Sequence, residues 1–165
     1  MKRVIVIGCP GSGKSTFSRK LAAVTKLPLF HLDMLNWNAN KTTVSSDLFF
    51  ERQESVLKQE EWIIDGNYGS TLEMRFAACD TIIFLDYPVV VCLAGIRDRV
   101  GQASPDMPWI EEELDQDLLA FVRDFPKNSR PQIMTLLSSH ADKDMYQFTN
   151  REEAIQFLEQ IKKPN

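Results

Sequence analysis

A short run near the N-terminus has the residue types and the spacing needed to hold phosphate groups. Residues 8–15 read GCPGSGKS and match the pattern G-x-x-x-x-G-K-[ST] without a gap. The glycines allow backbone N–H groups to turn inward and approach phosphate oxygens closely. Lys14 supplies a positive charge for the β- and γ-phosphates, and the hydroxyl of Ser15 suits Mg²⁺. We expect a nucleotide, ATP or GTP, to be bound with Mg²⁺ by Gly8, Pro10, Gly11, Ser12, Gly13, Lys14, Ser15 and Thr16.

The sequence on either side of this run favours a phosphate-binding loop. Residues 4–7 read VIVI, a continuous apolar run that is typical of a buried parallel strand. Residues 14–25 have helical spacing, with Phe17, Leu21 and Val24 on one face. A preceding strand and a following helix are the context in which this motif binds phosphate, because the helix N-terminus adds a partial positive charge. The alternative is a glycine-rich turn that holds no ligand.

The rest of the chain alternates short β-branched runs with longer amphipathic runs. Further strands are predicted at residues 28–32, 62–64, 81–85 and 145–148. Helices are predicted at about 47–60, after a capping box at residues 70–73, from 88 to about 100, at about 110–124, at about 131–140 and after an N-cap at Asn150. This alternation implies an α/β fold with a parallel sheet covered on both faces. Ligands of such sheets sit beyond the carboxyl ends of the strands.

The composition favours a single cytoplasmic domain and argues against several classes of function. The chain has 165 residues, a formal net charge of −4 and a pI of about 5.2, so direct nucleic-acid binding is not expected. The number of cysteines, three, is odd and no CxxC pair is present, which indicates free thiols. No signal peptide or membrane-spanning run is recognised. His31 and His140 have no partner at metal-ligand spacing, so zinc is not expected.

Several motifs outside the loop give the chain a family resemblance. In order, they are His31-Leu32-Asp33 with Trp37, Trp62-Ile63-Ile64-Asp65-Gly66-Asn67-Tyr68, Phe84-Leu85-Asp86-Tyr87-Pro88, Pro105-Asp106-Met107, and Phe125-Pro126 before Ser129-Arg130-Pro131. With the loop, they make the chain resemble a nucleoside-monophosphate-kinase-like P-loop protein. The resemblance is greater to the adenylate-kinase-related family of bacterial DNA topology modulation proteins, and it covers nearly the whole chain.

The resemblance implies a P-loop NTPase fold of three layers, with ATP as the phosphoryl donor. It implies a five-stranded parallel sheet in the order 2-3-1-4-5, with helices on both faces. Within one domain, residues 1–165, it suggests that residues 34–60 bind the phosphoryl acceptor. It also suggests that residues 97–109 form a short lid, called here the predicted lid.

Two aspartates at strand ends are the candidate catalytic and metal-binding carboxylates. In kinases of this type an acidic residue at the position of Asp33 orients the acceptor hydroxyl or reaches Mg²⁺ through water; the alternative is a helix cap or an Asx turn. Asp65-Gly66 resembles the Asp-Gly of adenylate kinases, whose carboxylate reaches Mg²⁺ through water. We expect Ser15 and Asp65 at the metal, and Asp33, Asp65 and Gly66 near the acceptor.

After Gly66 the sequence departs from the adenylate kinase pattern. Adenylate kinases continue with an aromatic residue, proline and arginine, whereas this chain continues with Asn67-Tyr68-Gly69. The arginine that would grip an acceptor phosphate is therefore missing at that position. Asn67 and Tyr68 are still expected near the acceptor. Arg75 is the nearest candidate to replace the missing arginine, and the alternative is a solvated surface arginine.

Arginines elsewhere are candidates for the donor nucleotide. In this kind of fold, residues such as Arg97 and Arg99 close over the transferring phosphoryl group. Two residues apart on a helix they point about 200° apart, so at most one of them faces the phosphates unless the helix has ended. The alternative is an exposed helix end favoured by the helix dipole. Arg151, after the last strand, is a candidate to stack on the base.

The segment after strand two contains a tryptophan and several amides. Trp37 is a candidate to bind a planar or polyhydroxylated acceptor, and the alternative is that it anchors a loop on the core. Two functions are compatible with these features. The first is a kinase that transfers the γ-phosphoryl group of Mg·ATP to a nucleotide or another small acceptor. The second is a nucleotide-binding regulatory protein with little or no turnover, which the absence of family arginines at Asn67, Val89 and Ser104 favours.

Overall fold

The computed structural model describes residues 1–162 and is built on one parallel sheet. The strands are β1 (Arg3–Gly8), β2 (Leu29–His31), β3 (Trp62–Asp65), β4 (Thr81–Leu85) and β5 (Asp144–Phe148). Their order is β2-β3-β1-β4-β5, and every adjacent pair is parallel. The predicted α/β fold and strand order are therefore confirmed. All the strands end at the same edge of the sheet, where the candidate residues follow them.

The helices surround this sheet. They are α1 (Lys14–Thr25), α2 (Leu32–Asn36), α3 (Ser46–Leu57), α4 (Gly69–Ala78), α5 (Val89–Asp98), α6 (Gln116–Asn128), α7 (Arg130–Ser139) and α8 (Arg151–Lys162). Residues 4–7 of β1 are 0% exposed although successive side chains point to opposite faces, so both faces of the sheet are covered. Across residues 1–162, no helix combines the length and the apolar character that crossing a bilayer requires.

A helix was predicted from about residue 110 to 124, but α6 begins at Gln116, so the predicted start was wrong. The carboxylate of Asp115 accepts hydrogen bonds from the N–H groups of Asp117 (2.9 Å) and Leu118 (3.2 Å), which caps α6 at its true start. Ile110 and Leu114, which precede α6, are 45% and 38% exposed, so no buried apolar face stabilises a helix there.

The two predicted N-caps beside the site have different outcomes. Asn150 does cap α8, because its side-chain oxygen accepts from the N–H of Glu153 at 3.0 Å. The capping box at residues 70–73 is not formed, since α4 already begins at Gly69. Tyr68 precedes it with a φ of 43°, an uncommon conformation for a residue with a side chain. Side-chain contacts described below hold Tyr68 in that position.

The start of α6 can be tested by removing its cap. We expect Asp115→Ala to lower the free energy of unfolding by about 1 kcal/mol, because two backbone N–H groups lose their acceptor. Asp124→Ala, at an exposed position inside the same helix, is the matched control and should change the free energy of unfolding little. Urea unfolding followed by circular dichroism measures both, and equal effects would contradict a cap at Asp115.

Candidate functional site

The loop between β1 and α1 is shaped to receive anions. Gly11 and Gly13 have φ values of 82° and 91°, which glycine adopts at little cost. Pro10 is half-buried in the loop, and the buried Ser12 Oγ has no hydrogen-bond partner among the described residues. The ammonium group of Lys14 donates to the carbonyl oxygens of Gly8 (2.8 Å) and Cys9 (3.1 Å). The orphaned hydroxyl and the folded-back lysine leave the loop with groups suited to phosphate oxygens.

The backbone of helix α5 packs directly against the backbone of the loop. A Cβ atom added at Gly11 would lie 2.0 Å from the carbonyl oxygen of Cys92, and one added at Gly95 would lie 2.0 Å from the carbonyl oxygen of Gly11. Both positions therefore require glycine for close packing rather than for the turn alone. The shape of the loop depends on this contact between two backbones.

The side chain of Asn67 holds the beginning of the loop from the other side. Its amide oxygen accepts from the N–H of Gly8 at 3.0 Å, and its amide nitrogen donates to the carbonyl of Gly8 at 2.6 Å. Asn67 was predicted to contact the acceptor, but in the structure both polar atoms of its side chain bind the loop. Its position after β3 thus links two neighbouring strand ends.

Arg75 is buried and binds backbone, so the alternative of a solvated surface arginine is wrong. The residue is 0% exposed, and its guanidinium donates to the carbonyls of Gly66 (2.8 Å), Asn67 and Tyr68 (3.1 Å). Burial lowers the pKa of Arg75 to about 9. With its donors used in this way, the side chain has no exposed group that could grip an acceptor phosphate. It instead fixes the turn after β3, including the strained Tyr68.

Asp65 and His31 form a buried pair at the ends of β3 and β2. His31 Nδ1 lies 2.9 Å from Asp65 Oδ2, and Asp65 is 4% exposed. Burial alone would lower the pKa of His31, but the hydrogen bond and the charge of Asp65 outweigh it, so the pKa is raised. Burial also lowers the pKa of Lys14, while the charges of Asp65 and Asp33 oppose that effect. The predicted lysine and both predicted carboxylates therefore lie together.

A second group of side chains surrounds Asp33, which lies in the short helix α2. The hydroxyl of Tyr68 donates to Asp33 Oδ1 at 2.6 Å and accepts from Trp37 Nε1 at 3.1 Å. The ring of Tyr68 packs on Phe49, with ring centroids 4.9 Å apart. Burial raises the pKa of Asp33, although the hydrogen bond from Tyr68 and the charge of Lys14 oppose it. Trp37 is thus anchored through its indole N–H, and its expected contact with an acceptor stays a prediction.

Residues at both ends of the predicted lid lie near these groups. Arg97 is exposed in the last turn of α5, whereas Arg99 is half-buried and its charge opposes the burial that raises the pKa of Asp33. Arg99 follows the last residue of α5, and of the two arginines it is the one whose charge acts on Asp33. The role expected of both arginines at the phosphoryl group stays a prediction. Trp109 packs edge-on against Trp37, with centroids 5.2 Å apart and planes at 78°. The lid and the predicted acceptor segment thus meet through two aromatic rings.

The sequence reasoning did not assign a role to Asp106, a third buried carboxylate. Asp106 lies in the predicted lid and forms an ion pair with Arg19 of α1. It was noted only as part of the Pro105-Asp106-Met107 motif. No local pattern in the sequence signals this contact, because Arg19 and Asp106 are 87 residues apart.

Two remaining predicted site residues lie at the periphery. Thr16 is exposed and its hydroxyl accepts from Arg19 at 3.1 Å. Arg151 is exposed at the start of α8, and its charge acts on Tyr87, whose pKa burial raises to about 12. Arg151 thus lies near Tyr87, and its expected contact with the base stays a prediction.

Comparison of the sequence with protein-family models gives no match, and neither does comparison with curated proteins. Solved structures are similar in fold. A shikimate kinase from Acinetobacter baumannii in complex with shikimate has a TM-score of 0.66 and 16% identity, covering 98% of this chain and 90% of that chain. A shikimate kinase from Bacteroides thetaiotaomicron has a TM-score of 0.57 and 16% identity, covering 97% and 95%.

A sugar kinase from Janibacter sp. is similar to the same extent, with a TM-score of 0.57 and 17% identity over 97% of this chain and 91% of that chain. These similarities show that the chain has the fold of P-loop kinases of small molecules. The resemblance to DNA topology modulation proteins stays a prediction.

The structural role of Arg75 can be measured. We expect Arg75→Met to lower the free energy of unfolding by about 3 kcal/mol, because three carbonyl groups lose their buried donor. Arg123→Met, at an exposed position on α6, is the control and should have little effect. Urea unfolding of both variants decides the matter: a stable Arg75→Met protein with weakened acceptor binding would restore the predicted contact with substrate.

Proposed function

We propose that this chain is a small-molecule kinase that binds Mg·ATP at the loop of residues 8–15 and phosphorylates a hydroxyl group of a small acceptor held beside Asp33. The observation that carries the proposal is that the phosphate loop and the carboxylate expected at the acceptor lie close together. Lys14 is held by the loop carbonyls, and its buried ammonium group interacts with the charges of Asp65 and Asp33. The terminal phosphate of a donor bound in the loop would therefore lie near the carboxylate of Asp33.

Each residue has a distinct role in the proposed reaction. Lys14 and Arg99 offset the charge on the transferring phosphoryl group, which is the main catalytic contribution in phosphoryl transfer. Asp33 orients the acceptor hydroxyl and takes its proton. Tyr68 fixes the carboxylate of Asp33 by its hydrogen bond of 2.6 Å and is itself fixed by Trp37. The side chain that accepts the proton is thus preorganised before the acceptor arrives.

The residues present fit a magnesium ion together with a nucleotide. The hydroxyl of Ser15 and the carboxylate of Asp65 are oxygen donors, which Mg²⁺ prefers. No group of three or more His, Cys, Asp or Glu side chains suited to a metal occurs within the part of the chain that the structure describes. Mg²⁺ commonly uses one or two protein ligands and takes the rest from phosphates and water. When bound, it supplies Lewis-acid stabilisation of the phosphate oxygens.

The surroundings of Asp33 favour a hydroxylated acceptor that is recognised by hydrogen bonds and aromatic contact. Trp37 and Trp109 provide two adjoining aromatic surfaces, and the hydroxyl of Tyr68 and the carboxylate of Asp33 provide polar groups. The similar structures include kinases whose names give shikimate and sugars as substrates, and both are small polyhydroxylated compounds. This supports a small metabolite as acceptor more than a nucleoside monophosphate, since Arg75 is used inside the protein.

A nucleotide-binding regulatory protein with little turnover is the second candidate. The commitment of Asn67 to Gly8 and of Arg75 to three carbonyls favours it, because both side chains hold the loop rather than a substrate. In that case Mg·ATP would bind and reorganise the predicted lid without a product being formed.

The first experiment is a turnover assay with Lys14→Ala. We expect ADP release from Mg·ATP, measured against a panel of polyhydroxylated metabolites, sugars and nucleoside monophosphates, to fall by about 100-fold or more with the preferred acceptor, because a positive charge at the phosphates is lost. Lys20→Ala, exposed on the same helix, should retain activity. Acceptor-dependent turnover that survives in folded Lys14→Ala would refute the scheme. ATP binding with no acceptor-dependent turnover in the unaltered protein would favour the regulatory candidate.

The role of Asp33 predicts a pH dependence that Tyr68 controls. The carboxylate must be ionised to take a proton, so kcat/KM falls as the pH drops through the pKa of Asp33, which burial raises. The hydroxyl of Tyr68 stabilises the ionised form. In Tyr68→Phe the pKa of Asp33 should rise further, so the acid limb of the kcat/KM profile should move to higher pH.

Tyr146→Phe, a half-buried tyrosine on β5, is the control for this experiment and should leave the acid limb in place. An acid limb that does not move in Tyr68→Phe would show that Asp33 is not the group whose ionisation limits the rate.

A further inference from the structure

The predicted lid contacts α1 at one point and the predicted acceptor segment at another. The carboxylate of Asp106 forms an ion pair with Arg19 of α1, the helix that follows the phosphate loop. Three residues further along the chain, the ring of Trp109 packs edge-on against Trp37, with centroids 5.2 Å apart. A lid that is seated on α1 therefore also brings Trp109 to the acceptor side of the site.

Glu111, just after the lid, holds the indole of Trp109. The N–H of that indole donates to the carboxylate of Glu111. The backbone carbonyl of Glu111 accepts from the N–H of Gly101 at 2.7 Å, which closes the base of the lid because Gly101 lies in its first half. The nitrogen of Trp109 is therefore used beside the lid, and the ring is the part of the side chain that meets Trp37.

Trp37 is fixed by its backbone and is in contact with two partners through its side chain. Its backbone N–H donates to the carbonyl of Asp33 at 2.9 Å, and the residue forms an antiparallel bridge with Thr43. Its indole N–H donates to the hydroxyl of Tyr68 at 3.1 Å, while its ring contacts Trp109. Because the ring and the N–H belong to one rigid group, the contact with Trp109 bears on whether the N–H points at Tyr68.

The bond from Trp37 determines what the hydroxyl of Tyr68 does. An indole N–H can only donate, so it occupies a lone pair of the Tyr68 oxygen and leaves the single hydrogen of the hydroxyl for another acceptor. That acceptor is Asp33 Oδ1, at 2.6 Å. Successive hydrogen bonds in such a chain polarise one another, so the bond from Trp37 strengthens the bond to Asp33.

We propose that Trp109 is a positioning residue supplied by the lid, which holds Trp37 against Tyr68 and so fixes the carboxylate of Asp33. The inference rests on the proposed function, in which Asp33 takes the proton of the acceptor hydroxyl. It adds a group outside the acceptor segment that acts on Asp33 through two other side chains. Seating of the lid on α1 and orientation of Asp33 are thereby linked.

The first test needs no ligand, because the contact can be followed in the protein alone. The chain has three tryptophans, so three indole N–H signals are expected by NMR, and the variants Trp37→Phe and Trp109→Phe assign them. We expect Trp109→Ala to speed the exchange of the Trp37 indole hydrogen with water by about 2-fold to 12-fold, the equivalent of one aromatic pair. Trp62, which is 0% exposed, is the internal reference and should exchange as before.

The second test separates a positioning role from a wall of the acceptor site, and it uses the acceptor that gives the most turnover in the panel. We expect Trp109→Ala to lower kcat by about 2-fold to 12-fold, and to lower it no further in a Tyr68→Phe background, where the path to Asp33 is broken. Trp109→Phe keeps an aromatic ring and should keep most of kcat. Ile110→Ala, at the exposed neighbouring position, is the matched control and should change neither kcat nor the indole exchange.

Two results would overturn the inference while leaving the proposed function intact. One is unchanged exchange at Trp37 in Trp109→Ala, which would show that the ring of Trp109 does not hold the indole. The other is a rise in the acceptor KM at constant kcat that persists in Tyr68→Phe, which would make Trp109 a wall of the acceptor site. Faster exchange at Trp37 in a protein without acceptor-dependent turnover would instead overturn the proposed function, and with it the role of Trp109 toward Asp33.

Discussion

The peptide groups of Gly8 are the point on which the rest of the site depends. The carbonyl of Gly8 accepts from Lys14 and from Asn67, and its N–H donates to Asn67. Helix α5 then fixes the turn of the loop, because the backbone of Gly11 approaches the backbone of α5 too closely for any side chain at Gly11 or Gly95. A loop held from both sides keeps its shape before a ligand arrives, and this reduces the ordering cost of binding.

The same arrangement explains why a charged lysine is tolerated in a buried position. An isolated ammonium group is costly to bury, and burial does lower the pKa of Lys14. Two loop carbonyls accept its hydrogen bonds, and Asp65 and Asp33 supply opposite charge. In the proposed reaction, phosphate oxygens would take the place of the carbonyls as acceptors. The site thus balances one buried positive charge at the loop with two carboxylates.

The parts of the fold that the sequence predicted are those encoded by local pattern. The glycine-rich motif and the continuous apolar run before it placed the loop, and the alternation of strands and helices gave the parallel sheet. The start of α6 was predicted too early, because no buried face supports a helix before Asp115. The burial of Arg75 was not predicted, because it depends on side-chain bonds to carbonyls of the turn after β3. Such bonds leave no periodicity in the sequence. Asp106 was missed for a related reason, since its charged partner, Arg19, is 87 residues away in sequence and only folding brings the two together.

The use of arginines around the site bears on the kind of acceptor that the proposed kinase would bind. Arg75 holds three carbonyls, Arg19 pairs with Asp106, and Arg130 forms a two-pronged ion pair with Asp86. Arg52 donates to the carbonyl of Leu35 at 2.7 Å, on the predicted acceptor segment itself. These guanidinium groups organise the protein, and of the arginines discussed here Arg99 is the one that faces Asp33. In the proposed reaction, positive charge would then be concentrated at the transferring phosphoryl group, and Asp33, Tyr68 and the aromatic rings would select the acceptor. That division of roles is suited to a neutral hydroxylated molecule, for which a second cluster of arginines would have no purpose.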